Sequence, residues 1–378
     1  MALKLRHVRA ARIRRRRIAA GAACGLAIGA FAFGAALGDG TRSSPSAASR
    51  LPLSQLAGQR IVAGFDGARA PAALKRMIRA GQLAGVILFD SNLPGRAAGR
   101  RLIAALQAIP RPPGLRDPLL VMVDQEGGLV KRLDGAPAVA ASQMGARGSS
   151  FSRQEGRLTA ANLRDVGVNV DLAPVLDVAR PGGTIAETGR GFGSTAAAVS
   201  ATAVPFAGGL RTGGVAATAK HFPGLGAAAG NTDFAVQRIP LSMRVLRTID
   251  EAPYRRFIAE GGELVMLSTA IYPAFSPLPA AFARPIATGE LRSRLGFEGV
   301  SITDALESVA VRDFGGPAKA GLEAARAGTD LLLFTEYAAA ARAGGALLRA
   351  LRSGSLDRAA SEASVGRVLR LRRGLSGE

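Results

Sequence analysis

From about Leu56 onward, short apolar runs alternate with longer stretches of helical spacing. The runs are RIVAGF (60–65), AGVILF (84–89), LLVMVD (119–124), VNVDLAP (168–174), GVAATAKH (214–221), ELVMLST (263–269), GVSITDA (299–305) and DLLLFT (330–335). Each is near-continuously apolar and rich in Val, Ile or Leu, the pattern of strands covered on both faces, as in parallel sheets. Between them, the Ala/Leu/Arg-rich stretches 71–81, 97–108, 153–166, 195–212, 317–327 and 337–352 carry helical spacing. Eight strands, each followed by helix-like sequence, predict an α/β fold of the (β/α)8 TIM-barrel type. A doubly wound open sheet is the alternative. No GxGxxG follows the first strand and no GxxxxGK[ST] occurs, so nucleotide binding has no support.

The N-terminal end reads differently. Residues 18–38 (IAAGAACGLAIGAFAFGAALG) are 21 consecutive uncharged positions, about the length of a helix crossing a bilayer core of about 30 Å. Eight basic residues and no acid occupy the first 17 positions. An Arg-rich flank of this kind predicts an N-terminus kept in the cytoplasm and the rest of the chain outside. A cleaved signal peptide is the competing reading, which would make the protein secreted. The chain is therefore read as a basic tail (1–17), a membrane anchor or signal segment (18–38), a Ser/Pro/Gly-rich flexible linker (39–54) and one barrel domain (55–378). The Arg run is explained by the apolar segment beside it, so no nucleic-acid partner is expected.

Composition narrows the chemistry. The 378 residues hold 49 Lys+Arg against 28 Asp+Glu, one Cys and two His. One cysteine excludes a disulfide framework and a Cys-rich zinc site. Two histidines far apart in the chain, His7 and His221, exclude a multi-histidine metal cluster. A Ser-His-Asp triad would need His221. In an enzyme of this composition, carboxylates do the proton and covalent chemistry. No cofactor or metal is implied, and a monomer is expected.

A barrel places its chemistry where strands end and the following loops begin. The polar residues there are Asp66, Asp90, Asn92, Asp124, Gln125, Glu126, Asp177, Lys220, His221, Thr269 and Asp304. Charges at the ends of buried strands need a site or a pairing network to offset desolvation. Several such ends converging on one mouth favour a polar ligand pocket.

At these ends the chain resembles the N-terminal barrel of glycoside hydrolase family 3, especially its single-barrel β-N-acetylglucosaminidases. The resemblance runs through VDQEGGLVKRL (123–133), VNVDLAPVLDV (168–178), GRGFG (189–193), KHFPGLG (220–226) and GVSITDALES (299–308). It implies a retaining β-glycosidase acting on terminal β-linked N-acetylhexosamine, with peptidoglycan fragments as one source of substrate, and the N-terminal segment adds that the enzyme is exported. Asp304 matches the family's nucleophile, although an Asp at a strand-to-helix turn also suits a helix N-cap. Lys220 and His221 match residues that hold sugar hydroxyls. Asp124 matches a carboxylate that takes two hydroxyls, and Arg132 and Arg190 match ligand-binding arginines. An internal ion-pair network is the structural alternative for these three. Glu126 and Asp177 are expected to brace the loops.

One part of the pattern breaks. The single-barrel enzymes carry a histidine in the loop after KHFPG that serves as acid/base. Here that loop reads KHFPGLGAAAGNTDFAVQRIP, with no histidine after His221. Asp233 is the leading candidate for proton donor, provided burial raises its pKa. Other carboxylates such as Asp90 or Asp177 are the second account. The third is a sugar-binding or scaffold protein of the cell envelope that turns over slowly or not at all. A β-glucosidase or β-xylosidase would differ only around the sugar's 2-position.

Overall fold

In the computed structural model, which describes residues 47–376, every one of the eight apolar runs contains a strand. They are β1 (Ile61–Ala63), β2 (Gly85–Ile87), β3 (Leu120–Val123), β4 (Val170–Asp171), β5 (Ala216–Phe222), β6 (Leu264–Leu267), β7 (Val300–Thr303) and β8 (Leu332–Phe334). From β1 to β7 each strand pairs in parallel with the next, and β8 pairs in parallel with β1. A parallel bridge between Ile302 and Leu331 brings the two ends of the sheet together. The strand order never reverses, so the doubly wound alternative does not apply and the fold is the TIM-type barrel.

Alternation along each strand explains why the runs show no polar face. In β3, Leu120 and Met122 join Val62, Val170, Ala216, Leu264 and Val300 in the cluster that fills the barrel interior. Val121 and Val123 point the other way, into the core between sheet and helices. Both faces are dry, so both must be apolar.

Helices Ala72–Arg79, Arg96–Gln107, Ser149–Val166, Ala196–Thr212, Gly316–Ala327 and Tyr337–Arg352 occupy the six stretches of helical spacing. The gaps after β5 and β6 are filled by Ala252–Ala259 and by the π-helical Pro285–Arg294, which the spacing had not marked. Pro285–Arg294 buries Glu290 beside Ile286, Ala287 and Leu291, so its inner face is not uniformly apolar.

The linker reading needs correction over its last eight positions. Residues 47–54 are folded: Ala48–Arg50 make a 3-10 turn and Leu53–Gly58 a helix, with Ala48 and Leu51 buried in the core. Ala48 and Leu51 add apolar surface there, and Arg358 donates to the Ser49 carbonyl at 3.4 Å. The basic tail (1–17), the apolar segment (18–38) and the linker through residue 46 lie outside the described residues. Among the described residues no helix is long and apolar enough to cross a membrane.

The helix Arg358–Gly374 lies across the N-terminal ends of the strands and closes that end. Its Val368 enters the interior cluster. Its Arg372, fully buried, donates to the carbonyls of Pro118 and Leu115, both at 2.9 Å, and to the Gln59 side chain. Asp330, just before β8, accepts from Arg367 at 2.8 Å, Arg292 at 2.5 Å and the Ser301 N–H at 2.9 Å. Burial alone would raise the Asp330 carboxyl, but the two guanidinium charges outweigh it and hold the group below the usual carboxylate range.

Candidate active site

The inner-face register of the strands continues into the open end. Two positions beyond Met122 comes Asp124, two beyond Ile302 comes Asp304, and two beyond Leu333 comes Thr335; all three line a cavity of about 420 Å³. β5 departs from this rule. Thr218 pairs with Leu264 and Ala219 with Val265, but the next pair is Phe222 with Leu267, so β5 carries one residue more than β6. That bulge falls at Lys220 and His221, which are joined by a cis peptide. A bulge re-aims side chains, and here two consecutive residues both reach the cavity. Asp124, Arg132, Arg190, Lys220, His221, Asp233 and Asp304, the seven residues singled out by sequence, all line it.

A tight charge cluster forms one wall. The Lys220 Nζ donates to Asp124 Oδ1 at 2.6 Å and lies 2.7 Å from Glu126 Oε1. Arg190 grips Glu126 through Nε and Nη2, both at 2.7 Å. Burial would discharge Lys220, yet the Asp124 and Glu126 carboxylates hold its ammonium well above the ordinary lysine range. Burial would likewise protonate Glu126, yet Lys220 and Arg190 hold it far below the carboxylate range. Lys220, Glu126 and Arg190 are therefore ionised at neutral pH. Glu126 spends itself inside the cluster as a brace, as expected. Asp124 does not: its Oδ2 has only Arg132 Nη2, at 3.9 Å. Arg132 also stands 3.8 Å from Asp90 Oδ2, and its buried Nε has no hydrogen-bond partner. Asp124 and Arg132 thus keep hydrogen-bonding capacity for a ligand.

His221 is fixed from behind. Fully buried Asp177 accepts from the His221 N–H at 3.1 Å and the Leu225 N–H at 2.6 Å, and pairs with His221 Nδ1 at 2.7 Å. Nε2 is the ring nitrogen left for the cavity. With these contacts Asp177 is a brace and offers no proton to a substrate.

Asp304 has no such partners. It caps no helix, because the next one, Val309–Arg312, starts after Ser308. Its Oδ1 accepts from the Ala305 N–H at 2.8 Å. Burial pushes its carboxyl above the usual range; the His221 and Lys220 charges oppose that shift and the Asp233 charge adds to it.

Asp233 reaches the cavity on the loop after β5. Asn231 Oδ1 accepts from the Asp233 N–H at 2.9 Å, an Asx turn. The carbonyls of Thr232 and Asp233 then accept from Ala310 and Val309, both at 3.2 Å, which docks the loop onto the segment following Asp304. At its root the loop presses on Val178, where a β-carbon on Gly226 would stand 1.9 Å from the carbonyl oxygen. Asp233 is exposed, in contrast to the burial expected of a proton donor. The loop holds it at the rim rather than over the floor, with the neighbouring Thr232 turned inward and buried.

Two acids escaped the sequence reading. Asp171 in β4 is fully buried, accepts from the Gln125 N–H at 3.0 Å and leaves Oδ2 unpartnered. Burial pushes it well above the carboxylate range. Gln125 in turn accepts from the Arg132 and Leu133 N–H groups and donates to the Leu133 and Ala136 carbonyls, so Asp171 anchors the loop that carries Arg132. The signal was an acid inside the apolar run VNVDLAP. Glu307 accepts from the Thr335 and Glu336 N–H groups at 3.0 and 3.2 Å, tying the Asp304 loop to β8, and burial pushes it up to about 7. Of the remaining strand-end residues, Asp66 and Asp90 are exposed at the rim, and Asn92 is buried in bonds to the Phe65 and Gly67 carbonyls. Thr269 is buried with its hydroxyl unpartnered.

A second hollow of about 500 Å³ sits near the closed end, lined by Arg111, Arg116 and Arg164 but by no carboxylate. It lacks the groups for acid/base or nucleophilic work. Among the described residues no group of three or more His, Cys, Asp or Glu could hold a metal ion.

The profile of the glycosyl hydrolase family 3 N-terminal domain matches residues 52–371. An uncharacterized secreted glycosyl hydrolase of Arthroderma benhamiae is 40% identical over 75% of this chain and 82% of its own length. A beta-hexosaminidase of Alkalilimnicola ehrlichii is 33% identical over 73% of this chain and 80% of its own. Among solved structures, a family 3 beta-N-acetylglucosaminidase from Paenibacillus superposes with a TM-score of 0.82 at 34% identity. That match covers 87% of this chain, which spans 64% of the Paenibacillus enzyme.

Proposed function

The chain belongs to glycosyl hydrolase family 3, and from that premise we propose that this glycoside hydrolase is a retaining β-N-acetylhexosaminidase that works outside the cytoplasm. Asp304 attacks the anomeric carbon and forms a glycosyl ester, while the leaving oxygen takes a proton from Asp233. Asp233, now a carboxylate, takes a proton from water, whose oxygen displaces Asp304 and frees the sugar. Asp124 accepts from two vicinal hydroxyls and Lys220 donates its remaining N–H. Arg132, Arg190 and His221 Nε2 complete the sugar's hydrogen bonds.

The observation that carries this reading is the asymmetry around one cavity. Of the carboxylates lining it, Asp124 and Glu126 are paired to cations, while Asp304 and Asp233, the two that chemistry needs, have no cation partner. The names of the Alkalilimnicola and Paenibacillus relatives support N-acetylhexosamine as the sugar, with peptidoglycan fragments as one source. The name of the Arthroderma relative supports export, here through residues 18–38, cleaved as a signal or kept as an anchor.

The test uses two reagents. Release of 4-nitrophenol from its β-N-acetylglucosaminide is expected from the wild type and is abolished in Asp304→Ala. A 5-fluoro N-acetylglucosaminyl fluoride is expected to add one glycosyl mass to the peptide bearing Asp304. A second reading, a sugar-binding scaffold, is favoured by the exposure of Asp233. Saturable binding of N-acetylglucosamine without labelling or turnover would establish it instead.

A further inference from the structure

The two most exposed large apolar side chains among the described residues are Leu129 and Phe234, each 79% exposed, against 38% to 47% for the other five. Single exposed apolar residues are ordinary. Two that stand out by this margin, one lining the cavity and the other adjoining a residue that lines it, are not. Leu129 lines the cavity itself, and Phe234 directly follows Asp233.

Neither exposure comes from a loose loop. Leu129 sits in a turn closed in both directions, Gly127 N–H to Val130 carbonyl at 3.1 Å and Val130 N–H to Gly127 carbonyl at 3.3 Å. Gly127 and Gly128 take φ of +93° and +59° there, which favours glycine at both positions. The turn begins at Glu126, which Arg190 and Lys220 hold. The Phe234 N–H donates to the Asn231 carbonyl at 3.2 Å, in the segment docked on Val309 and Ala310. The backbone therefore presents both side chains to solvent at fixed places.

Inside the cavity the wall is ionic and suited to a sugar's hydroxyls; at its edge stand the exposed Leu129 and, next along the chain from the proposed proton donor, Phe234. A group attached to the oxygen that Asp233 protonates must leave the cavity there. We propose that Leu129 and Phe234 form the leaving-group site, which takes a ring with an apolar face: the C–H face of a second pyranose, or an aryl group. Flat apolar faces of this kind lose water against Leu and Phe without needing any directed polar partner. This rests on the glycosidase reading above.

The test compares wild type, Leu129→Ser, Phe234→Ser and the control Leu158→Ser, whose residue lies on the outer helix Ser149–Val166. Substrates are the β-N-acetylglucosaminyl fluoride, methyl glycoside, 4-nitrophenyl glycoside and β-1,4-linked disaccharide. Both rim variants are expected to lose roughly tenfold in kcat/KM on the leaving groups that carry a ring, mostly through KM, and far less on fluoride and methyl. The ring with the larger loss names the natural leaving group. An equal loss on all four substrates, or none, overturns the proposal. Calorimetric Kd values for the disaccharide and for free N-acetylglucosamine, each measured in the Asp304→Ala background, read the same site without turnover. Their ratio should move toward one in both rim variants and stay put in Leu158→Ser; an unchanged ratio in the rim variants overturns the proposal. A ratio that moves in the rim variants, together with a wild type that neither hydrolyses nor is labelled, would keep the rim site and sink the glycosidase reading alone. Circular dichroism melts verify that the variants fold.

Discussion

Asp330 enters β8 and Asp304 leaves β7, so two carboxylates on neighbouring strands stand at opposite ends of one barrel. Asp330 receives two guanidinium groups and a backbone N–H, and sits below its usual acidity range. Asp304 receives one backbone N–H and is pushed above it. Burial acts on both in the same direction, so partners make the difference. At the closed end the Asp330 charge is answered inside the chain by Arg292 and Arg367. At the open end Asp304, Asp124 and Arg132 keep capacity that only a ligand fills, which serves binding and chemistry.

Exchanging the acid for its amide at each end tests this contrast most sharply. Asp304→Asn is expected to lower turnover of the 4-nitrophenyl glycoside by roughly 10⁴-fold or more. Its melting temperature should hold or rise, because a poorly compensated charge is gone. A loss of stability with turnover retained would reverse the assignment. Asp330→Asn should do the opposite. Leaving Arg292 and Arg367 unpaired at a buried position costs about 3–5 kcal/mol, read as a lower urea midpoint. Turnover per folded molecule, measured by active-site titration, should stay near wild type.

Asp233→Ala ranks next. Loss of general acid catalysis is expected to cost roughly 10²–10⁴-fold on the disaccharide and much less on the activated aryl glycoside. Equal small losses on both would make Asp233 a turn residue.

The smallest effects are in pH. Asp304 attacks only when ionised, and the Asp233 charge helps to hold its pKa up. Asp233→Asn removes that charge, so the acid limb of kcat/KM should move to lower pH, by less than about one unit. For Asp330 the folded pKa is depressed, so its stabilisation is present above the unfolded value and is lost as pH falls through the folded one. Urea midpoints of wild type and Asp330→Asn should therefore converge toward acid pH.

Much of this contrast was legible from sequence, for a physical reason. Strands dry on both faces leave long apolar runs, and a charge at the end of such a run has few explanations, so Asp124, Lys220 and Asp304 stood out. The closed end was illegible because its determinants are helical arginines. Arg292, Arg367 and Arg372 look like the surface arginines around them until packing brings them to Asp330, Pro118 and Leu115. Asp171 was missed because its partner is a backbone N–H 46 positions earlier. The exposure of Asp233 depends on how the Gly-Asn-Thr-Asp loop docks on Val309 and Ala310, a contact between distant segments that no local pattern records. Residues 47–54 looked like a stalk by composition, yet Ala48 and Leu51 are buried in the core and Arg358 donates to the Ser49 carbonyl.

The extra residue in β5 has a consequence for anyone who recuts this barrel into a new catalyst. In an even ladder, one strand can lend its interior only every second side chain, so an ammonium and an imidazole side by side would require two strands. The offset lets one strand supply both. Deleting a single position there would not trim a loop; it would invert which of the two groups faces the guest. The irregularity, more than any individual charge, is what a redesign should leave untouched.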